Sequence, residues 1–170
     1  MTTAAPRKPR RKRHTLKVTK PNPRELRIER KFDASREHLW RAITKPECVA
    51  EWWGRGNKVD IEKMEMNRGG HWRFVEHAPD GPQGFEGRVR EVVPQEKIVR
   101  TFEWDGEPGM TALETMTLED TEDGHSKIVS TLQMYTKEQR DGMLNAGMKD
   151  GMRKSYAELD KVLVKMHSAE

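Results

Sequence analysis

The stretch LNAGMKDGMRKSYAELDKVLVKM, residues 144–166, decides the fold. In it Leu144, Met148, Gly151, Ser155, Leu159, Val162 and Met166 recur at spacings of 4, 3, 4, 4, 3 and 4, which is the period of one helical face. The pattern predicts a long helix from about Lys137 to Met166. Toward the N-terminus the period falls to 2. Lys58 to Met66, Gly70 to His77, Gly84 to Val92, Lys97 to Trp104, Thr111 to Glu119 and Ser126 to Met134 read as strands, with turn compositions such as Asn67-Arg68-Gly69 and Pro79-Asp80-Gly81 between them. Connections this short imply an antiparallel meander. Before Lys58, Leu26, Ile28, Arg30 and Phe32 alternate with polar residues as a first strand. Ser35 then caps a helix carrying Leu39, Trp40 and Ile43, which Pro46 interrupts, and a second short helical turn through Val49 and Ala50 leads to Trp52, Trp53 and Gly54. The fold class is therefore α+β: a seven-stranded antiparallel sheet with two short helices after strand 1 and a long C-terminal helix. A curved sheet must hide one face, and only the last helix is long enough to cover it.

The 170 residues suit one domain. Hydrophobic residues make up 34% and charged residues 35%, with a mean hydropathy of −0.97, and no apolar run approaches the roughly 18 residues of a membrane helix. No apolar segment follows the basic N-terminus, so a secretory signal is not expected and the location predicted is cytoplasmic. Cys48 is the only cysteine; it reads first as a small apolar side chain and second as a reactive thiol. The charge is unevenly spread. Residues 1–23 hold eight lysines and arginines, four prolines and no acid, while the chain as a whole carries +4. Such a segment buries too little surface to offset its ordering entropy, so residues 1–23 are expected to be a disordered basic tail and residues 24–170 the folded domain. The tail reads as a solubilising extension, or as an arm making weak, non-specific nucleic-acid or anionic-surface contact.

The helical stripe carries a functional hint. Gly147, Gly151 and Ser155 stand where a packed core would place Leu or Ile. Their small volume is taken up either by close approach of the sheet or by a ligand cavity. Strand alternation supplies candidate walls: Trp72 with Phe74; Arg100 with Phe102 and Trp104; Glu114 with Met116 and Leu118; and Leu132 with Met134. Trp53 follows the second helix, and Met148, Met152 and Tyr156 face the strands from the long helix. The candidate ligand-binding set is therefore Trp53, Trp72, Phe74, Arg100, Phe102, Glu114, Met116, Met148, Gly151, Met152, Ser155 and Tyr156. Most of these also suit an ordinary core. Arg100 and Glu114 are more telling, because a charge on an apolar face must be paired, solvated or used. If their strands are neighbours the two form an ion pair at the cavity.

Signals for catalysis are sparse. His71 and His77 lie about 20 Å apart along an extended strand, too far to share a metal. No zinc-protease helix motif, phosphate loop or nucleophile elbow occurs in the sequence. No catalytic residue, metal or cofactor is expected. Tyr156 beside Glu114 is the one acid–base pair that a reactive pocket would offer.

Several motifs in this order resemble a known family: Phe32-Asp33-Ala34-Ser35, Leu39-Trp40-Arg41-Ala42-Ile43-Thr44, Pro46-Glu47, Glu51-Trp52-Trp53-Gly54, Gly69-Gly70-His71-Trp72-Arg73-Phe74, Gly87-Arg88-Val89-Arg90-Glu91-Val92, the Lys97 to Trp104 strand, and Gly147 to Leu159. Together they resemble the START-like (START/Bet v 1-like, SRPBCC) helix-grip superfamily. Within it they are similar to the C-terminal domain of the activator of the heat-shock-protein-90 ATPase. The resemblance covers about residues 25–166. It implies a sheet gripping the C-terminal helix with a cavity between them, and ligands such as lipids, sterols or polyketides. The expected function is a single-domain, monomeric binder of a small, mostly apolar molecule. The alternatives are a polyketide cyclase or dehydratase using the same cavity, and a stress-related, co-chaperone-like interaction module.

Overall fold

The computed structural model describes residues 14–169. In chain order the elements are β1 (Lys17–Thr19), β2 (Glu25–Phe32), α1 (Arg36–Thr44), α2 (Pro46–Trp52), β3 (Val59–Met64), β4 (His71–Ala78), β5 (Gly81–Val93), β6 (Lys97–Trp104), β7 (Ala112–Asp120), β8 (Ser126–Gln133), α3 (Lys137–Asn145) and α4 (Met148–Ser168). All strand pairs are antiparallel, in the order β1-β2-β8-β7-β6-β5-β4-β3. The strands from β3 to β8 form the meander, and β2 closes onto β8 in full register from Glu25↔Gln133 to Phe32↔Ser126.

Local chemistry accounts for the connections. Ser35 caps α1 by accepting from the backbone N–H of His38 at 3.2 Å. Lys45 precedes a proline and is extended at φ −91°, ψ 124°, which ends α1 and starts α2 with Pro46 in its first turn. α4 lies against α1 and α2 and buries Ser155, Tyr156, Leu159, Val162 and Leu163. Arg30, one of the inward residues of β2, fastens the helix to the sheet. Its guanidinium is bidentate on Asp160 at 2.7 and 2.5 Å and sits 4.6 Å from the centre of the Phe32 ring.

Two expectations are corrected. The sheet has eight strands rather than seven, because part of the expected tail is ordered: Leu16 is buried and Lys17–Thr19 pair with Arg27–Glu29. A three-residue edge strand carries too little alternation to be read from its sequence. The remainder of the expected tail, residues 1–13, lies outside the described residues. Among the described residues the helices number four rather than three, because the long C-terminal helix is broken. Ala146 ends α3, and Gly147 takes a left-handed conformation at φ +88° before α4 begins. Gly147 is thus an exposed junction and not a small residue on the buried face.

The break makes a prediction of definite sign. Gly147→Ala places a Cβ in the left-handed region and should destabilise the fold by about 1–2 kcal/mol. In an unbroken helix the same change would stabilise by about 1 kcal/mol. Urea unfolding of the two proteins reads the sign directly.

Candidate functional site

The register places the expected ion pair. Arg100 on β6 stands opposite Glu114 on β7, and Arg100 Nε donates to Glu114 Oε1 at 2.7 Å. Arg100 is buried and Glu114 largely so, with side chains 9% and 12% exposed in apolar surroundings. The guanidinium also lies 4.5 Å from the centre of the Trp72 ring, a cation–π contact in the interior. Trp72 is fully buried and donates from Nε1 to the Thr101 carbonyl at 3.0 Å. On the same side of the sheet as this pair, Tyr156 descends from α4 between Phe32 at 5.2 Å and Trp52 at 6.0 Å. Burial pushes its hydroxyl well above the ordinary phenol range, and the Glu114 charge acts in the same direction. Ser130 Oγ on β8 approaches that hydroxyl without reaching full hydrogen-bond geometry. Tyr156 therefore remains protonated at neutral pH, able to donate a proton but not to accept one.

Between helices and sheet the residual space is about 10 Å³, lined by Ile43, Val49, Trp52, Trp53, Phe74, Ile98, Arg100 and Met116. That is the scale of one water molecule. Among the described residues this space is far smaller than the expected ligand-sized hollow, and the small residues of α4 explain why. Ser155 donates from Oγ to the Trp53 carbonyl at 2.8 Å. Gly151 makes room for Arg55, whose Cδ would lie 3.2 Å from an added Cβ. Both serve close packing of α4 on the segment that follows α2.

That segment is itself held under tension. Arg55 has φ +58° and Gly56 φ +91°, and a left-handed arginine persists only where its surroundings require it. Here the requirement is Glu76, an inward residue of β4 that is 3% exposed. Arg55 Nε and Nη2 donate to its two carboxylate oxygens at 2.9 and 2.5 Å. The Glu76 hydrogen bond raises the affinity of Arg55 for its proton above the ordinary guanidinium value. The clasp fixes the backbone beside Trp53, whose half-buried ring packs at 5.3 Å from Phe74 and 4.7 Å from Phe85 and bridges the two halves of the core.

Of the residues read as lining, Trp53, Phe74, Arg100 and Met116 meet at the small cavity. Trp72, Glu114 and Tyr156 stand in the same interior but behind that first layer. Phe102 joins an aromatic group with Phe85 at 5.6 Å and Trp72 at 5.9 Å. Met148 and Met152 are half-buried at the start of α4, while Gly151 and Ser155 are taken up by Arg55 and Trp53. Sequence reading missed Ile43, Val49 and Trp52, which α1 and α2 swing over the sheet, as well as Phe85 and the Arg55–Glu76 clasp. The same parity that puts Trp72 and Phe74 inward also puts Glu76 inward, and this was the available signal.

His71 and His77 lie on the outward parity of β4. His71 pairs with Glu86 at 3.0 Å and His77 with Asp60 at 2.7 Å. Among the described residues there is no group of histidine, cysteine and acidic side chains arranged to hold a metal. Cys48 is half-buried against the core, and burial pushes its thiol pKa up, away from nucleophilic use. No described helix is long and apolar enough to cross a membrane.

Comparison with solved structures identifies the architecture. A crystal structure of a Rhodobacter sphaeroides protein is 27% identical with a TM-score of 0.80, and the alignment covers 89% of this chain and 99% of that one. A Mycobacterium smegmatis crystal structure is 16% identical, with a TM-score of 0.79 and coverage of 89% and 97%. An Arthrobacter aurescens solution structure is 21% identical, with a TM-score of 0.78 and coverage of 88% and 91%. The curated proteins contain no match. The family described as Activator of Hsp90 ATPase homolog 1-like protein matches residues 33–164. That span takes in α1, the clasp, the buried ion pair and nearly all of α4, and the chain belongs to that family, with its helix-grip fold.

Proposed function

We propose that the chain binds a small, mostly apolar molecule with one polar or anionic end, held between α4 and the concave face of the sheet, and carries out no reaction on it. Arg100 is the observation that carries this reading. Its guanidinium is buried in an apolar interior and borders the residual cavity. Among the described residues only its Nε hydrogen-bonds to a protein group. A buried ion pair is a weak source of stability, since apolar residues of similar volume do as well or better. Keeping one on an apolar face therefore supports a role in recognition, with the terminal guanidinium nitrogens available to a carboxylate or carbonyl.

A ligand needs several hundred Å³ where about 10 Å³ is now open, so binding on this reading requires the wall to move. The wall with least to lose comprises Trp53, Phe85, Phe102, Met148 and Met152, all half-buried, and methionine side chains repack at small cost. Trp53 moves only if the backbone beside it is released, which makes the Arg55–Glu76 clasp the part that holds the site shut.

Native mass spectrometry of the protein isolated from its own host, with calorimetric titration of decanoate as a model apolar anion, tests the reading. The expected results are a co-purified small-molecule adduct and one-to-one decanoate binding, weakened at least tenfold in the double variant Arg100→Met/Glu114→Leu. The absence of both an adduct and saturable binding in the parent protein would sink the proposal.

A further inference from the structure

A second concavity differs in every respect from the interior. It is an open cleft of about 470 Å³ between the segment after β1 and helix α3, lined by Lys20, Lys137, Arg140, Asp141, Leu144 and Asn145. Its volume lies in the range of small-molecule sites, but its walls are polar and cationic. Lys20 and Lys137 are exposed and enter no ion pair among the described residues. Arg140 is 6% exposed and fixed in place: Nη1 donates to the Asn22 carbonyl at 2.7 Å, and Nε and Nη2 donate to Asp141 Oδ1 at 3.2 and 3.0 Å. Three acids stand nearby, so the unpaired positive charge is local to Lys20 and Lys137. Asp141 is committed to Arg140, Glu25 accepts from Gln133 at 2.7 Å, and Glu138 is exposed on the first turn of α3.

An exposed aromatic residue lies close to these cations in sequence. Tyr135 is 64% exposed, the most exposed of the large hydrophobic side chains among the described residues, and lies two residues before Lys137. Its position is not adventitious. Gln139 Oε1 accepts from the Tyr135 backbone N–H at 2.9 Å, and the preceding residue, Met134, donates from its backbone to the Arg24 carbonyl at 2.9 Å. Arg24 is itself exposed and adds a further cation at the foot of that turn. An anchored guanidinium, two free ammonium groups and an exposed ring on a fixed turn form a combination that suits phosphate contacts with base stacking.

We propose that the cleft formed by Lys20, Lys137 and Arg140, with Tyr135 on the turn that precedes Lys137, binds a phosphate ester bearing an aromatic base, either as a free nucleotide or as a unit of a single-stranded nucleic acid. The site is independent of the interior and of whatever ligand the interior holds.

The test is fluorescence anisotropy of the full chain with a labelled oligo(dT) of about 12 nucleotides, repeated across salt concentrations and in competition with dTMP. Lys20→Gln/Lys137→Gln should weaken binding about tenfold and reduce the logarithmic salt slope by roughly 1.4, from two lost phosphate contacts at about 0.7 each. Lys63→Gln/Lys149→Gln, which removes the same charge from exposed positions elsewhere, should change binding less than twofold. Tyr135→Ala should weaken the oligonucleotide severalfold. Displacement by dTMP identifies the free nucleotide as a sufficient ligand, whereas resistance to dTMP with the same lysine dependence identifies the strand. Equal losses in the two lysine double variants would trace binding to net charge alone, and an unchanged Lys20→Gln/Lys137→Gln protein would remove the cleft from it. Either result overturns the proposal.

Discussion

Glu114→Leu should destabilise the fold by about 3–5 kcal/mol, because it leaves the Arg100 guanidinium buried and unpaired. Arg100 is buried and pressed on Trp72, and the space beside it holds about one water molecule, which cannot replace the charge of the lost carboxylate. For a chain of this size the change corresponds to a fall in Tm of roughly 6–20 °C, at about 2–4 °C per kcal/mol. The double variant Arg100→Met/Glu114→Leu should recover most or all of that loss, since it removes both charges and fills the space with apolar atoms. Urea unfolding of parent, single and double variants measures both steps. A neutral Glu114→Leu would mean that Arg100 reaches solvent, and the pair would then not be the internal recognition element proposed above.

A double variant as stable as the parent shows that the ion pair is not needed to hold β6 to β7, whose backbone ladder runs from Lys97↔Thr117 to Phe102↔Ala112 without it. Loss of decanoate binding or of a host-derived adduct in that stable protein then assigns the charges to ligand recognition. The same logic separates Tyr156 from catalysis. Its hydroxyl is buried and protonated, so it is placed to donate a hydrogen bond in the interior and is unsuited to remove a proton at neutral pH.

How much of this was legible beforehand depends on the range of each interaction. The alternation of Leu26, Ile28, Arg30 and Phe32 carried β2 because burial there follows strict parity. Arg100 and Glu114 were legible as a pair for the same reason: both sit on inward parity, and a short connection makes β6 and β7 neighbours. The helix period survived for Ser155, Leu159 and Val162, which are buried. It misled at Gly147, because the spacing of side chains does not record whether the backbone between them changes hand. Ala146 and Gly147 leave the helix while Leu144 and Met148 keep helical spacing. The cavity was the least legible part. Whether Gly151 and Ser155 leave a void depends on partners far away in sequence, Arg55 and Trp53, and no local period encodes those. The clasp itself joins residues 21 apart through a left-handed arginine, a conformation that residue type alone argues against.

Gly87→Ala should be as damaging as the loss of Glu114, though it adds only one methyl group. Gly87 faces Trp72 across the β4–β5 ladder. A Cβ on it would fall inside the van der Waals surface of the Thr101 carbonyl oxygen and within 2.7 Å of Trp72 Nε1. Those two atoms make the 3.0 Å hydrogen bond that seats the indole, so the methyl must push the ring or the β6 backbone aside. Trp72 is fully enclosed and carries the Arg100 guanidinium on its face, and the displacement passes straight to the ion pair. Overpacking of this kind costs about 1–3 kcal/mol and sometimes more, and an unsatisfied indole N–H adds about 1–3 kcal/mol. The combined expectation is a loss of about 3 kcal/mol or more, a fall in Tm of at least roughly 6 °C, and changed fluorescence from the buried indole. The same substitution at Gly142, a helical position with nothing within 4 Å of the added atom, should instead stabilise by up to about 1 kcal/mol. Thermal unfolding of the two variants side by side tests the pinch at Trp72 by sign: if Gly87→Ala melts no lower than the parent, β5 does not press on β6 there, and the seating of Trp72 and Arg100 has to be redrawn.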